Sequence, residues 1–364
     1  MMVVSKQYQI FFDFLRFCIG SESEIPSSLK EADWEELYAI AKKQCLVGVL
    51  FDGIKKLPAE QVGMKMGLLF QWIAKNRMLE KANVRLNDAA IQISEWFRKK
   101  GFRTCILKGQ GNALMYPNPY SRTPGDIDIW VEGGDKRVIS FVRSISPHEK
   151  ACYHHIEFPP YKGVEVEVHY RPSFLLCFWH NRKLQNFYER MKEEQFSHRV
   201  MLGKQGEIAI PMVEFNLIFQ LTHIYAHLMN EGIGFRQLLD YYYVLISDDL
   251  LMIRDRVQKE LKELGLWKFA GGIMYIMQEV FGMPASRLIV PPNEKCGKFV
   301  LNEVLEAGNF GKYDERNRFG RSKLGHNLQR VYRDIRLMRY FPAEALCEPL
   351  FRLWHFFWRV KNKK

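Results

Sequence analysis

The chain has 364 residues, 47% of them hydrophobic and 26% charged, which is enough for one large core or two modest domains. No stretch approaches about 18 uninterrupted apolar residues, and no basic start leads into an apolar core and a small-residue cleavage site, so we expect neither a transmembrane helix nor a secretion signal. The net charge of +12 favours polyanionic partners, and seven scattered cysteines without Cys-x-x-Cys spacing fit a cytoplasmic protein and argue against a zinc site.

Helical patterns occupy both ends of the chain. Residues 1–100 carry an apolar stripe from Trp34 to Leu50 and a long periodic segment from Leu68 to Phe97 without Pro or Gly. Residues 101–211 are rich in strand patterns, and helical periodicity returns over 212–364. The sequence therefore predicts an α+β fold, with a small mixed sheet between two helical regions.

The first candidate for function is a glycine-bearing turn after a short strand. Residues 102–107 form a buried strand pattern, followed by Lys108, Gly109 and Gln110 and then by a short helix. A strand, a glycine turn and a helix present backbone N–H groups to phosphate, and Cβ atoms would block that approach. Lys108 and the later Arg122 are candidate cations for a polyphosphate. The alternative is a β-α-β unit whose glycines only serve a tight turn.

Residues 125–131 read Gly-Asp-Ile-Asp-Ile-Trp-Val. On a strand, Asp126 and Asp128 leave one face, while Ile127 and Ile129 leave the other toward a core. Two neighbouring carboxylates repel each other unless a cation lies between them, and Mg²⁺ prefers oxygen ligands and substrate phosphates. The pattern indicates metal-assisted phosphoryl chemistry. Alone, such a pair can also decorate a strand edge or cap a turn.

A further carboxylate follows in a strictly alternating strand over 164–170, after a turn predicted at residues 159–160. Glu165, Glu167 and His169 share one face of this strand. Neighbouring like charges destabilise a sheet, which favours a functional reason for them. The alternative is an edge strand whose outer face is solvated.

Four polar residues recur at helical spacing after residue 212. His223 and His227 are four residues apart and share a helical face, as do Arg236 and Asp240. His-x-x-x-His is a metal-ligand spacing, but no third ligand stands beside it. The simpler interpretation is that these residues pack against the sheet through hydrogen bonds.

The C-terminal segment is basic and aromatic. Residues 312–364 contain 14 Lys/Arg against 5 Asp/Glu, and aromatic residues crowd positions 350–360. Three interpretations compete: a surface for RNA or DNA, an interfacial helix on anionic lipid, and a core-packing helix with its charges on the solvated face. The third is favoured, and polyanion contact through 312–364 stays open.

Together these motifs resemble the nucleotidyltransferase superfamily with the DNA polymerase β-like fold, and within it the bacterial "uncharacterised nucleotidyltransferase" family. The resemblance is carried by Leu107-Lys108-Gly109, Tyr116-Pro117, Arg122, Gly125-Asp126-Ile127-Asp128 and Glu167-Val168-His169-Tyr170. It implies a small mixed β-sheet nucleotidyltransferase core at 101–211, flanked by an N-terminal helical region at 1–100 and a C-terminal helical region at 212–364.

The resemblance also implies a reaction and its residues. Asp126, Asp128 and Glu167 would be the catalytic metal ligands for Mg²⁺ or Mn²⁺, with Glu165 competing with Glu167 for the third position. Nucleotide-binding residues would be Lys108, Gly109, Gln110, Arg122 and Arg236. Gln110 stands where the superfamily has Ser or Gly, and Tyr170 where it has Trp.

The implied activity is metal-dependent transfer of a nucleoside monophosphate from an NTP to an acceptor hydroxyl, with release of pyrophosphate. The acceptor is open: a small molecule, a sugar, RNA or a protein. A non-catalytic nucleotide- or partner-binding module of the same fold is an alternative, as is a toxin–antitoxin-type enzyme acting on tRNA or protein.

Overall fold

The strands of the protein lie between two groups of helices. The computed structural model describes residues 5–58, 60, 63–204, 206–316 and 323–362. Its strands all fall between residues 104 and 209, and they build a small mixed sheet and a separate hairpin. This architecture confirms the predicted α+β class. The division at residues 100 and 211 stays a prediction.

The N-terminal helices are α1 (Lys6–Ile19), α2 (Trp34–Lys43), α3 (Val47–Ile54) and α4 (Met66–Lys99). Helix α2 begins where the carboxylate of Asp33 accepts hydrogen bonds from the amides of Glu35 and Glu36. The apolar stripe predicted from Trp34 to Leu50 is divided between α2 and α3, because Cys45 takes a positive φ of 58° and interrupts the helix. The long periodic segment is α4, as predicted.

The main sheet carries the candidate metal ligands Asp128 and Glu167. Its strands are β1 (Thr104–Ile106), β2 (Ile127–Val131), β3 (His155–Tyr161) and β4 (Val164–His169), in the order β1–β2–β4–β3. Strands β2 and β4 are parallel, and the other two pairings are antiparallel. The parallel register sets Asp128 directly opposite Glu167.

The two faces of this sheet differ in chemistry. Ile127, Ile129 and Val131 pack with the valines of β4 against α4 and α6 (Gly134–Ile145). Asp128 and Glu167 leave the opposite face, because side chains alternate along a strand. The helices α5 (Gln110–Ala113) and α7 (Phe178–Ser197) and the hairpin of β5 (Arg199–Leu202) with β6 (Gly206–Ala209) complete this part of the chain.

The turn predicted at residues 159–160 is wrong. Both prolines lie within β3, and the chain reverses at Lys162 and Gly163, which have φ of 53° and 75°. Proline is tolerated in β3 because it is an edge strand of the sheet, and the register there shifts between Phe158 and Tyr161.

The C-terminal helices pack against the N-terminal ones around a common core. They are α8 (Val213–Asn230), α9 (Phe235–Leu245), α10 (Leu250–Glu263), α11 (Trp267–Glu279), α12 (Glu294–Ala307), α13 (Lys323–Met338) and α14 (Pro342–Lys361). Within the described residues, none of the helices has the length and apolar character needed to cross a membrane.

Helix α14 agrees only in part with the favoured interpretation of its sequence. Ala345, Cys347 and Phe351 are buried as a core-packing helix requires. Its acidic residues, however, are buried as well, whereas Phe357 is 62% exposed and other large apolar side chains share that outer face. The pattern of apolar residues was sufficient to predict the helix, but tertiary contacts decide which face is turned inward.

Candidate active site

Three carboxylates converge on the polar face of the sheet. Asp126 directly precedes β2, Asp128 lies in β2, and Glu167 lies in the adjacent β4. One oxygen of each lies within 4.8 Å of the others. Glu165, the competing candidate for the third carboxylate, is exposed and lies outside this group. The structure thus brings Glu167 to the aspartates.

Two cations hold these carboxylates in place. Lys108 Nζ lies 3.0 Å from Asp128 Oδ1, and His169 Nε2 lies 3.2 Å from the same oxygen and 3.3 Å from Glu167 Oε2. Burial opposes ionisation of Asp128, but Lys108 and His169 hold the pKa of its carboxyl well below the usual range. Burial also opposes protonation of His169, yet hydrogen bonds to Asp128 and Glu167 raise its pKa to about 9.

Asp126 is the exception in this network. The ion pairs found among the described residues involve Asp128 and Glu167 but not Asp126. The negative charge of Asp128, followed by burial, raises the pKa of the Asp126 carboxyl. A crowded set of oxygen donors with an uncompensated charge suits a hard divalent cation such as Mg²⁺ or Mn²⁺. The residues therefore fit the metal that the sequence predicts.

The glycine turn approaches this cluster through its backbone. Gly109 has φ of 63°, and a Cβ there would lie 3.6 Å from the carbonyl oxygen of Asp126. Helix α5, which follows, is short as predicted, with four residues, so its dipole is small. The side chain of Gln110 points elsewhere and donates to Asn87 of α4. The structure does not bring that side chain to the carboxylates.

Arg122 is committed to a partner within the protein. Its Nε and Nη2 lie 2.8 Å from the two carboxylate oxygens of Asp240, and the Tyr116 hydroxyl donates to the same carboxylate at 2.7 Å. Burial opposes ionisation, but Arg122 lowers the pKa of Asp240. The side chains of Arg122 and Asp240 are only 5% and 7% exposed. The ion pair of Arg122 with Asp240 therefore links α9 to the segment that precedes β2.

Arg236 has no comparable counter-charge. Its Nη1 donates to the carbonyl of Thr123 at 3.3 Å, and its guanidinium lies 5.5 Å from the ring of Phe310. Its buried Nε has no hydrogen-bond partner among the described residues. Burial and the neighbouring Arg122 lower the pKa of Arg236. A buried cation of this kind at a cavity wall is suited to an anionic group.

Helix α8 brings its histidines to the same place. His223 Nε2 lies 3.1 Å from Lys108 Nζ and 3.0 Å from His227 Nε2. Burial, followed by the charge of Lys108, holds the pKa of His223 well below its usual range, so the ring is neutral at pH 7. The His-x-x-x-His spacing thus marks a polar face against the site.

Two further histidines at the site were not predicted from the sequence. His154 and His155, at the start of β3, lie side by side with nitrogens 3.0 Å apart, and His155 Nδ1 is 3.4 Å from Glu167 Oε2. Burial lowers the pKa of His155 to about 4. Cys152 Sγ lies 3.6 Å from His154 Nδ1, although the cysteine spacing argued against a metal-type cluster. Their proximity depends on the pairing of β3 with β4.

The three carboxylates line one cavity of about 970 Å³, together with the lysine, the two arginines and the histidines described above. That volume is at the upper end for small-molecule sites and exceeds what a few metal ligands would need. Its wall is formed by the main sheet, by the turn at Lys108 and Gly109, and by α8 and α9, and α14 closes one side. The lining includes Lys108, Gly109, Arg122, Asp126, Asp128, Glu167, His169, His223, His227, Arg236, Phe351, Arg352 and His355.

Comparison with known proteins identifies one family. The family profile described as "Uncharacterised nucleotidyltransferase" matches residues 30–282, more than half of the chain. The curated proteins contain no match. A crystal structure of an antigenic nucleotidyltransferase-like protein from Paracoccidioides brasiliensis aligns at 14% identity, covering 50% of this chain and 90% of that chain, with a TM-score of 0.28. A TM-score this low carries no argument about the fold or the site.

Proposed function

This chain belongs to the family of uncharacterised nucleotidyltransferases, and on that premise we propose that it moves a nucleoside monophosphate from an NTP to an acceptor hydroxyl. The acceptor hydroxyl gives up its proton to solvent, its oxygen forms a bond to the α-phosphorus, and the bond from that phosphorus to the bridging oxygen of the β-phosphate breaks, releasing pyrophosphate. The observation that supports this reaction most strongly is the convergence of Asp126, Asp128 and Glu167 beneath a large cavity.

The three carboxylates would hold a divalent cation, Mg²⁺ or Mn²⁺. When bound, such a cation neutralises phosphate charge and lowers the pKa of an attacking hydroxyl. The contribution of the chain is to fix the carboxylates on two hydrogen-bonded strands, so that little reorganisation is needed when substrate arrives. His169 acts as a positioning residue, because its Nε2 bridges Asp128 and Glu167.

The triphosphate would be bound by Lys108 and Arg236. Lys108 lies beside Asp128, where phosphate oxygens would share its charge with the carboxylates. Arg236 is buried at the cavity wall without a counter-charge of its own. Gly109 lets the backbone come close to this region. We assign Arg122 to holding Asp240 rather than to nucleotide, and Gln110 to the contact with α4.

A matched pair of glutamates on β4 tests the proposal. Wild-type protein, Glu167→Gln and Glu165→Gln are each incubated with α-³²P-labelled NTPs, Mg²⁺ or Mn²⁺, and lysate separated into nucleic-acid, protein and small-molecule fractions. Both substitutions remove one carboxylate from the same strand, but only Glu167 belongs to the cluster.

We expect label transfer by the wild type and by Glu165→Gln, and none by Glu167→Gln. The labelled fraction would also identify the class of acceptor. Equal transfer by the two variants, or transfer that survives chelation of divalent cations, would contradict the proposed site. Tight NTP binding without transfer to any fraction would instead favour a binding module.

A further inference from the structure

In the hairpin of α13 and α14, many large apolar side chains are exposed, whereas the acidic side chains are buried. Its outward-facing apolar side chains are large and numerous, and we call them the outer apolar surface. Ile335 of α13 is 64% exposed and Phe357 of α14 is 62% exposed. The exposed large apolar side chains described in the two helices are Leu328, Val331, Tyr332, Ile335, Met338, Leu346, Leu350, Leu353, Trp354, Phe356, Phe357 and Val360. Contiguous apolar exposure on this scale marks an interaction surface rather than scattered surface residues.

The charges of the hairpin are distributed in the opposite way. Every acidic side chain described in α13 and α14 is buried, namely Asp334, Glu344 and Glu348. The exposed charged side chains described there are all basic: Arg330, which lines the cavity of the candidate active site, and Arg339, Arg359 and Lys361. The outside of the hairpin therefore offers apolar groups and positive charge, with no exposed carboxylate among the described residues.

Contacts on the inner side explain why the hairpin does not rotate to bury its apolar residues. Glu344 accepts a hydrogen bond of 2.6 Å from the amide of Leu176, next to the start of α7. Arg336 Nη2 lies 2.8 Å from Glu303 of α12. Rotation of the hairpin would separate the buried Glu344 carboxylate from the amides of Leu176 and Cys177, and it would remove one of the two arginines paired with Glu303; both losses are costly. The orientation of the outer apolar surface is thus fixed by the rest of the fold.

We propose that the outer apolar surface docks on an anionic lipid bilayer, with both helices lying in the interface. Apolar side chains would enter the boundary between headgroups and acyl chains, and the basic residues would contact anionic headgroups. The charge favours this occupant over a second copy of the chain, because residues 312–364 carry 14 basic against 5 acidic residues and would repel themselves. A nucleic acid would leave the aliphatic side chains unused.

Helix α14 separates the outer apolar surface from the candidate active site. The inner side of α14 contributes Phe351, Arg352 and His355 to the cavity wall, while its outer side would face the bilayer. The proposal does not depend on nucleotidyl transfer, since vesicle binding can be measured without any reaction. Failure of one proposal is therefore distinguishable from failure of the other.

Cosedimentation of the full chain with vesicles tests the docking. Vesicles of phosphatidylcholine alone are compared with vesicles containing about a third phosphatidylserine. The apolar variant is Leu353→Ser/Phe357→Ser, and the charge variant is Arg359→Glu/Lys361→Glu. The matched control is Leu251→Ser/Met252→Ser on α10, where the side chains are 62% and 75% exposed. All these sites are exposed, so circular dichroism should show unchanged folding.

We expect the wild type and the control to bind phosphatidylserine vesicles and to bind phosphatidylcholine weakly. The apolar variant should lose roughly tenfold or more in binding, and the charge variant roughly fivefold for each basic residue removed. Equal binding to both vesicle types, or no binding, would overturn the proposal. Two other results would also overturn it. One is a wild-type protein that is dimeric and binds no vesicles, while the apolar variant is monomeric. The other is binding of the wild type to RNA but not to vesicles.

Discussion

The buried ion pair between Arg122 and Asp240 should dominate the stability of the contact between α9 and the aspartate strand. Both side chains are less than a tenth exposed, so solvent screening is small. Replacing Asp240 with Leu would leave Arg122 buried without its ion-pair partner. We expect this to lower the free energy of unfolding by about 3–5 kcal/mol. The orphaned Tyr116 hydroxyl adds about 1 kcal/mol.

Arg122→Met should cost less, about 3 kcal/mol, because Asp240 keeps the Tyr116 hydrogen bond and the charge of Arg236. The double variant Arg122→Met/Asp240→Leu should cost about 2 kcal/mol less than the sum of the single variants, since neither charge is then left alone. Urea unfolding followed by circular dichroism measures all three. Additivity within about 0.5 kcal/mol would refute the pairing and return Arg122 to the nucleotide-binding candidates.

Three further variants test the site. Arg236→Met should weaken NTP binding about tenfold or more in titration calorimetry, with little loss of stability, because it removes a buried charge that makes no ion pair among the described residues. Unchanged binding would exclude Arg236 from the phosphate site. Gly109→Ala should lower the free energy of unfolding by about 1 kcal/mol or more, because an alanine is strained at the positive φ of this position. The control Gly67→Ala, at the start of α4, should not lower it, and equal urea midpoints for the two variants would contradict this reasoning. Asp126→Asn should raise the melting temperature in chelator at neutral pH, because it relieves repulsion from Asp128; a fall would argue against an uncompensated carboxylate.

The sequence predicts the carboxylates because strand periodicity is local. Two residues of separation place Asp126 and Asp128 on one face whatever surrounds the strand. The alternation of β4 narrowed the third carboxylate to Glu165 or Glu167, but the choice between them depends on the register of β4 against β2. Register is a property of the whole sheet, so one strand alone does not determine it.

Contacts between distant parts of the chain were beyond prediction. Arg122 and Asp240 are 118 residues apart, and the sequence around neither residue indicates that the two form an ion pair. His154 and His155 reach Glu167 only because β3 folds back along β4. Gln110 looked like part of a phosphate turn, yet its amide bonds to Asn87, 23 residues earlier in α4.

Helix α14 shows how composition can mislead about burial. Its aromatic and aliphatic residues suggested a core-packing face, which holds for Phe351 but not for Leu353 or Phe357. The inner side of α14 also carries Glu344, which accepts hydrogen bonds from the backbone amides of Leu176 and Cys177 ahead of α7. Hydrophobic pattern identifies a helix, whereas the chemistry of its neighbours decides which side faces inward.

The central claim, transfer of a nucleoside monophosphate, is tested most directly by following two labels in parallel. Wild-type protein receives the same NTP labelled either at the α- or at the γ-phosphorus, with Mg²⁺ and the responsive lysate fraction. We expect the α-label to join the acceptor while the γ-label leaves as pyrophosphate, and we expect neither with Glu167→Gln. Appearance of γ-label on the acceptor would mean phosphate transfer instead, and would contradict the claim.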